Sequence, residues 1–469
     1  MSELPEGMAP AQVPEPRNSA SAILLRRGAD REWEVLLGLR SRRSRFMPGH
    51  LSCPGGAVDP VDRIDEPGGF LRCVRRELDE EVGLDVPADR WIEAGERTTP
   101  PMFPVRFRTR FFVTRLSDEA ATNPAPASVE NESLRLAPAA VFLDEWARGS
   151  ARLPPPIVPI LRALAGARAS SLNEVGERVA EANAEEERAP RIEFAPDVWM
   201  LPVRTRTLPP ATHTNVWLPG GRRFVIVDPG SSNTAELDRL LEVVERRRRT
   251  GDEPVAVLLT HHHRDHVAGA AIVCEALRLP IRAHVETLRA IAQPAAGCAF
   301  EPLADGEELD LKGVTLRAIH TPGHAAGHLA YHLREPRLLI SGDLVSGLST
   351  ILVDPRDGDM EAYLKSLSIA DRIDCRLLLP GHGPPLPASR LAALIEHRLE
   401  RERRILAALR TDPTELSELA RSAYAETAQL PPRLIESQTL SHLLRLERKG
   451  QAARADAERR SWRAVRSEA

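Results

Sequence analysis

Hydrophobic and polar positions fall into stretches of different rhythm along the chain. SAILLRR and WEVLLGLR read as strands around a short turn, FLRCVRRELDEEVGL as a helix, VRFRTRFFVTRL as another strand and LPPPIVPILRALAG as a closing helix. NEVGERVAEANAEEERAP is polar, charged and helical in period, which predicts a tether between domains. From Ile192 the pattern turns β-rich (VWMLPVRT, NVWLP, RRFVIVDPG). It then alternates helix and strand through ELDRLLEVVERRRR, VAVLLT, IRAH, VTLRAIHT, RLLISGD and RLLLPGH, which predicts a layered α/β fold. After Pro387 strands nearly stop, and SRLAALIEHRLERERRILAALR, TELSELARSAYAE and PRLIESQTLSHLLRLERKG predict three helices, with Gly450 as a stop.

The pattern therefore predicts an α/β and α+β multidomain chain. Its expected parts are a disordered Pro-rich leader over 1–17, a mixed domain over 18–168, a linker over 169–191, a layered domain over 192–389 and a small winged-helix-like domain over 390–469. A length of 469 residues suits two or three cores rather than one.

Composition changes this picture little. With 42% hydrophobic residues, 28% charged residues and a formal net charge of -4, the chain reads as globular, and a polyanion-binding surface over the whole molecule is excluded. The C-terminal stretch has a small basic excess in Arg403, Arg404, Arg445, Arg448, Lys449, Arg459 and Arg460. These are candidate phosphate contacts, or else solvated helix faces and a domain interface. No apolar run approaches the roughly 20 residues of a membrane helix, so no membrane partner is expected. The opening MSELPEGMAPAQVPEPR lacks a basic segment followed by an apolar one, and five scattered cysteines carry no ligand-like spacing. Both point to a reducing cytoplasm. The abundance of Arg, Ala and Pro, with Lys only at Lys312, Lys365 and Lys449, reads as a GC-rich bacterial genome.

The candidate chemistry is concentrated in two places. THHHRDH, residues 260–266, follows the apolar strand VAVLL and offers imidazole and carboxylate donors in one turn, the ligands that zinc, iron or manganese take. His324 in HTPGHAAGH, Asp343 in ISGD and His382 in LPGHG each follow an apolar strand, where α/β sheets gather their sites. These motifs resemble, in order, the HxHxDH, TPGH, SGD and PGHG motifs of the metallo-β-lactamase-fold hydrolases. The resemblance implies an αββα sandwich binding two Zn²⁺, or iron or manganese. His261, His263 and His324 would hold one ion, Asp265, His266 and His382 the other, with Asp343 bridging. Asp228 in VIVDPG would support the loop.

Such a pair supplies ionised water near neutral pH and polarises the scissile group, so ester or phosphodiester hydrolysis is implied. Asp265 is a candidate for orienting the attacking water or taking its proton. His328 is a candidate for contacting substrate or shuttling protons. His284, His320 and His332 are expected to be structural, and His262 to point away from the metals. GLSTILVDPRDGDMEAYLKSL and HRLERERRIL resemble the group that includes a single-strand endoribonuclease with a winged-helix tail. That resemblance leans slightly toward single-stranded RNA. A thioester, as in glyoxalase II-like relatives, is the competing substrate class.

RELDEEVGL, residues 76–84, puts Glu77, Glu80 and Glu81 on one helix face, where they are a solvated acidic face or a Mg²⁺ or Mn²⁺ site. With Pro54-Gly55-Gly56 before it, this stretch resembles the Nudix box, and TPPMFPVRFRTRFFV and LPPP resemble its coenzyme A diphosphatase branch. The resemblance implies an α/β/α sandwich that hydrolyses a small-molecule diphosphate, a coenzyme A or nucleotide derivative, with Glu77, Glu80 and Glu81 as metal-binding and catalytic residues and Arg76 paired to a box glutamate. By strict spacing that glutamate falls on Gly68, and Glu66 is the only nearby substitute. A ligand-sensing Nudix unit is the non-enzymatic alternative. Oligomeric state is not legible.

Overall fold

The computed structural model describes residues 11–28, 32–44, 47–117, 125–167, 170–291, 298–427 and 431–465. By contacts the chain divides into two compact units, one of Gln12–Pro202 with Arg239–Arg246, the other of Val203–Asp238 and Arg247 onward. Most of the leader expected over 1–17 lies outside the described residues; Arg17 already begins the first strand.

In the first unit, a mixed sheet runs in the order Leu51–Ser52, Trp33–Arg40, Arg17–Arg27, Phe107–Arg115, Ile92–Thr98, with Arg17–Arg27 parallel to Phe107–Arg115. Alternation along the strands builds two cores, because successive side chains point to opposite faces. Ile23, Leu25, Val35 and Leu37 pack with Phe142, Trp146, Ile157, Leu161, Val175 and Val179. Ala22, Leu24 and Leu36 face Cys73, Val74, Leu78 and Val82 of the helix Gly69–Val82. The result is an α/β/α sandwich.

The expected tether corrects to a packed helix. Leu172–Arg188 buries Val175 and Val179 in the core, Asn183 Nδ2 donates to Ala94 O at 2.8 Å, and Gly176 lies so close to Ile92 that a Cβ would meet it at 2.6 Å. Its charged residues are the outer face of an amphipathic helix, not the sign of a free linker. The hairpin Ile192–Ala195 and Val198–Arg204 stays with this unit as far as Pro202, so this division falls later than the boundary expected at 192.

The second unit holds two sheets. One runs Phe300–Pro302, Ile281–Ala283, Glu253–Leu258, Arg223–Val227, His213–Pro219; the other runs Glu308–Asp310, Thr315–His320, Leu329–Leu333, Leu338–Gly342, Leu377–Pro380, Leu386–Pro387. Tyr331 Oη donates to Leu259 O at 2.6 Å and Asn215 Nδ2 to Pro380 O at 3.0 Å, joining the two sheets. Helix Met360–Ala370 packs Tyr363, Leu364 and Leu367 against Ala330, Leu339 and Leu378 of the second sheet. The C-terminal stretch forms helices Arg390–Ala408, Leu416–Ala423 and Pro432–Arg448 with a small antiparallel sheet of Thr414–Glu415, Ser461–Ala464 and Ala452–Arg454. Their shared core includes Ile405, Leu419, Leu443 and Trp462.

Against the expectation of cysteines without chemistry in a reducing compartment, Cys274 and Cys298 form a disulfide. Helix Ala270–Leu277 carries Cys274 to the chain entering Phe300–Pro302, so residues 24 apart come within 6.0 Å at Cα. Among the described residues no helix is long and apolar enough to cross a membrane.

Candidate metal centre and acidic helix

Each donor of the histidine motifs sits where an apolar strand ends. His261, His263, Asp265 and His266 follow Glu253–Leu258, His324 follows Thr315–His320, Asp343 follows Leu338–Gly342, and His382 follows Leu377–Pro380. Asp228 pins the first loop, accepting from Thr260 N and Thr260 Oγ1, both at 2.7 Å, and pairing with His266 Nδ1 at 2.9 Å. Gly342 has φ +45, and a Cβ there would come within 2.8 Å of His328 Nε2 and of Thr260. Only glycine fits this turn into Asp343.

All seven predicted ligands converge. His261, His263 and His324 bring donor atoms within 4.8 Å of one another, as do Asp265, His266 and His382, while Asp343 gathers with His261 and His266. Asp343 faces both groups: Oδ2 is 3.5 Å from His324 Nε2, and Oδ1 is 3.5 Å from His266 Nε2 and 3.6 Å from His382 Nε2.

The outer ring nitrogens are already engaged. His261 Nδ1 meets Thr260 Oγ1 (2.9 Å), His263 Nε2 meets Asp357 Oδ2 (2.7 Å), His324 Nδ1 meets Leu352 O (2.7 Å) and His382 Nδ1 meets His213 O (2.9 Å). With a proton on each of these outward nitrogens, the inner nitrogens of His261, His263 and His324 turn lone pairs toward one another at 2.9–3.0 Å, an arrangement that a bound cation would stabilise. Asp265 Oδ1 and Asp343 Oδ1 are likewise buried with no hydrogen-bond partner. The residues present fit a pair of divalent ions.

Burial and then the neighbouring imidazoles hold His261 neutral, and His324 falls to about 4 for the same reasons. At His266 burial opposes charge, yet Asp343 and Asp228 overcome it and favour the cationic form. The field at that end attracts positive charge.

Two residues escaped the sequence reading or were misplaced by it. Asp357, distant in sequence, orients His263 and also lies 3.4 Å from His262 Nε2. Its only signal in the sequence is as one of the two carboxylates of PRDGD. His328 does not reach the cavity: it is fully buried, Nδ1 pairs with Thr321 Oγ1 at 2.8 Å, and Nε2 accepts from Asp343 N at 3.2 Å. It shapes the Asp343 turn rather than touching substrate. His284 and His320 stack on each other with centroids 4.1 Å apart, and neither joins the groups of candidate ligands.

In the first unit, helix Gly69–Val82 carries Glu77, Glu80 and Glu81 on one side. Among the described residues they do not draw their carboxylates together as the histidine groups do. Arg76 takes Glu77 at 2.8 Å and Glu80 at 3.2 Å. Glu81 is buried, accepting from Gly55 N and Asn131 Nδ2 at 3.3 Å, and burial pushes its carboxyl up to about 7. The arginine's anchor is neither Gly68 nor Glu66. Asp62, 2% exposed, binds it through two bonds, at 2.9 and 3.1 Å. The loop between Gly56 and the helix turns at Asp59–Asp62 and delivers a shorter carboxylate from farther back.

The second unit is an αββα sandwich with histidine–aspartate groups at its strand ends that could hold divalent ions. Residues 209–382 match the model of the metallo-beta-lactamase superfamily, and residues 15–155 match that of the NUDIX domain. The chain thus joins a NUDIX domain and a metallo-beta-lactamase superfamily domain. It is similar to an atrochrysone carboxyl ACP thioesterase of Aspergillus chevalieri, 33% identical over 201 residues, covering 42% of this chain and 60% of that protein. It is also similar to a beta-lactamase-like protein 2 homolog of Caenorhabditis elegans, 30% identical over 200 residues, covering 42% and 65%. The chain thus spans less than two thirds of either relative. A crystal structure of a beta-lactamase domain protein from Burkholderia ambifaria shares the fold at TM-score 0.52 and 22% identity, over 59% of this chain and 94% of that one.

Proposed function

We propose that the second unit hydrolyses an acyl ester, a thioester foremost, with two zinc, iron or manganese ions held by His261, His263, Asp265, His266, His324, Asp343 and His382. The observation that carries this reading is a cavity of about 540 Å³ opening on His263, Asp265, His324, Asp343 and His382 and walled by Leu208, Pro209, Pro210, Ile351, Leu352 and Ile435. Apolar walls beside a polar floor suit an acyl chain ending in a reactive carbonyl. The name of the Aspergillus chevalieri relative, an ACP thioesterase, points the same way.

Bound ions supply ionised water and polarise the carbonyl. Asp265, whose Oδ1 is buried and unpaired, orients the attacking water and takes its proton. The cavity walls exclude bulk water and align the acyl chain.

Single-stranded RNA is the less favoured substrate, because most of the arginines expected to grip phosphates are engaged. Arg403 pairs with Glu396 and Glu400, Arg404 with Glu400 and Glu426, Arg445 with Glu361 and Glu402, Arg448 with Asp359, and Arg460 with Glu458. We read the C-terminal helices and sheet as a winged-helix-like module that walls the cavity. The test is hydrolysis of an acyl thioester and of labelled single-stranded RNA by metal-loaded protein, with His261→Ala as control. Thioester turnover lost in the variant supports the reading; RNA cleavage without thioester turnover overturns it.

For the first unit we propose hydrolysis of a small-molecule diphosphate, a coenzyme A or nucleotide derivative, with Mg²⁺ or Mn²⁺ at Glu77, Glu80 and Glu81. The buried Glu81 and the Asp62–Arg76 anchor support it. Joint substitution of Glu80 and Glu81 by Gln abolishes turnover on this reading. Ligand binding by the wild type without turnover would favour a sensor. A cytoplasmic location belongs to the same proposal.

A further inference from the structure

The cavity does not end at the metal ligands. Part of its wall comes from the C-terminal module, where helix Arg390–Ala408 contributes Arg398 and Arg401, and helix Pro432–Arg448 contributes Ile435 and Gln438. Arg398 is 4% exposed. It donates from Nη2 to Ile351 O, and its guanidinium carbon lies 5.2 Å from the centre of the Tyr363 ring. Among the described residues no carboxylate stands within ion-pair distance of it. The other arginines of the lining are matched, Arg401 by Glu426 and Arg356 by Asp354. A buried guanidinium without a counter-charge is costly, and a fold retains one where something else supplies the charge.

Gln438 gives an independent second observation. It is 7% exposed, and its Oε1 accepts from Val353 N at 2.7 Å, which fixes the orientation of its amide. Nε2 is then a buried donor with no partner, in the wall of the same cavity. Arg398 and Gln438 hold opposite ends of one short segment, Ile351–Val353, and both line the cavity. The lining carboxylates nearby are taken: Asp354 by Arg356 and Asp357 by His263. What is left over in this part of the cavity wall is a buried amide donor and a guanidinium with no carboxylate partner.

We infer that this end of the cavity is a subsite for an anionic, acceptor-rich group, a carboxylate or a phosphate, on the part of the substrate remote from the scissile bond, and that Arg398 and Gln438 select for it. This deepens the acyl-ester reading and rests on it. The substrate is then an acyl thioester with an apolar middle and a charged far end. The charge is either a second carboxylate on the acyl chain or a phosphate on the thiol arm.

The test compares kcat/KM for three thioesters on the metal-loaded full chain: pentanoyl-N-acetylcysteamine as neutral reference, glutaryl-N-acetylcysteamine for a carboxylate on the acyl side, and pentanoyl-phosphopantetheine for a phosphate on the thiol side. The subsite predicts that one charged substrate outruns the neutral one, identifying the source of the anion. That ratio falls about tenfold or more in Arg398→Met and in Gln438→Glu, the scale of a charge-assisted hydrogen bond. Gln438→Glu keeps an oxygen for Val353 N and replaces only the free donor, so it remains informative if Arg398→Met fails to fold. Wild-type ratios at or below one, or ratios unchanged in the variants, overturn the inference. If no thioester is hydrolysed, the acyl-ester reading fails separately, and calorimetric binding of glutarate and inorganic phosphate judges the subsite. Binding about tenfold weaker in Gln438→Glu supports it; equal or absent binding overturns it.

Discussion

His324 Nδ1 meets the carbonyl of Leu352 at 2.7 Å, and this bond ties a metal-ligand position to the segment that the C-terminal helices grip. On either side of Leu352, Ile351 O accepts from Arg398, Val353 N donates to Gln438, and Val353 O accepts from Ser441 Oγ. The ligand's ring orientation therefore depends on helices that contribute none of the seven ligands. Replacing Ser441 by Ala removes one of these bonds and is expected to cost about 1 kcal/mol of stability, read from urea unfolding of the metal-loaded protein.

Asp357 plays the equivalent part for His263. Asp357→Asn exchanges the carboxylate that accepts from His263 Nε2 for a weaker amide oxygen. Metal affinity should fall about 10- to 100-fold, the usual effect of losing such a partner. Competition with a chromophoric chelator measures it; an unchanged affinity would mean that His263 needs no such support.

Removing the metals should destabilise the second unit more than the first. Seven donors packed with their lone pairs inward favour the folded state only when cations are present, so binding adds to folding stability. A calorimetric scan before and after chelation should show the second unit's transition moving down by more than the first unit's. A uniform shift would argue against a centre confined to one unit.

Gly342→Ala should be severe. The new Cβ would lie 2.8 Å from His328 Nε2 and from Thr260, at a φ of +45. A loss of about 2 kcal/mol or more is expected from overpacking and strain together, accompanied by weaker metal binding, because this turn positions Asp343.

Acid should loosen the C-terminal module through Glu402. Burial alone would raise its carboxyl, but hydrogen bonds from His442 and Arg445 outweigh that and hold it at about 2. A depressed carboxylate stabilises the fold fully above its ordinary 4.5 and progressively less as pH falls toward 2. The thermal midpoint of the wild type should therefore drop between those values, with a smaller drop in Glu402→Gln. Parallel pH curves would rule out this origin.

The sequence by itself determined the two domains and singled out the seven side chains that the fold gathers into a candidate metal centre. Both are local: period-2 and period-3.6 hydrophobicity write the strands and helices, and each ligand directly follows a strand whose register carries it to the sheet's end. Helix Leu172–Arg188 was legible as a helix but not as part of a core, since its buried stripe of Val175 and Val179 is narrow against so many charges. Tertiary structure alone decided the partners that meet across long sequence gaps. Asp62 reached Arg76 because the loop folds back, Asp357 reached His263 across 94 residues, and His328 turned inward behind Asp343. It also decided which arginines are neutralised, and that Arg398, in the wall of the cavity, has no carboxylate partner among the described residues. Charge on a chain is countable, but its pairing is a matter of which surfaces fold against each other.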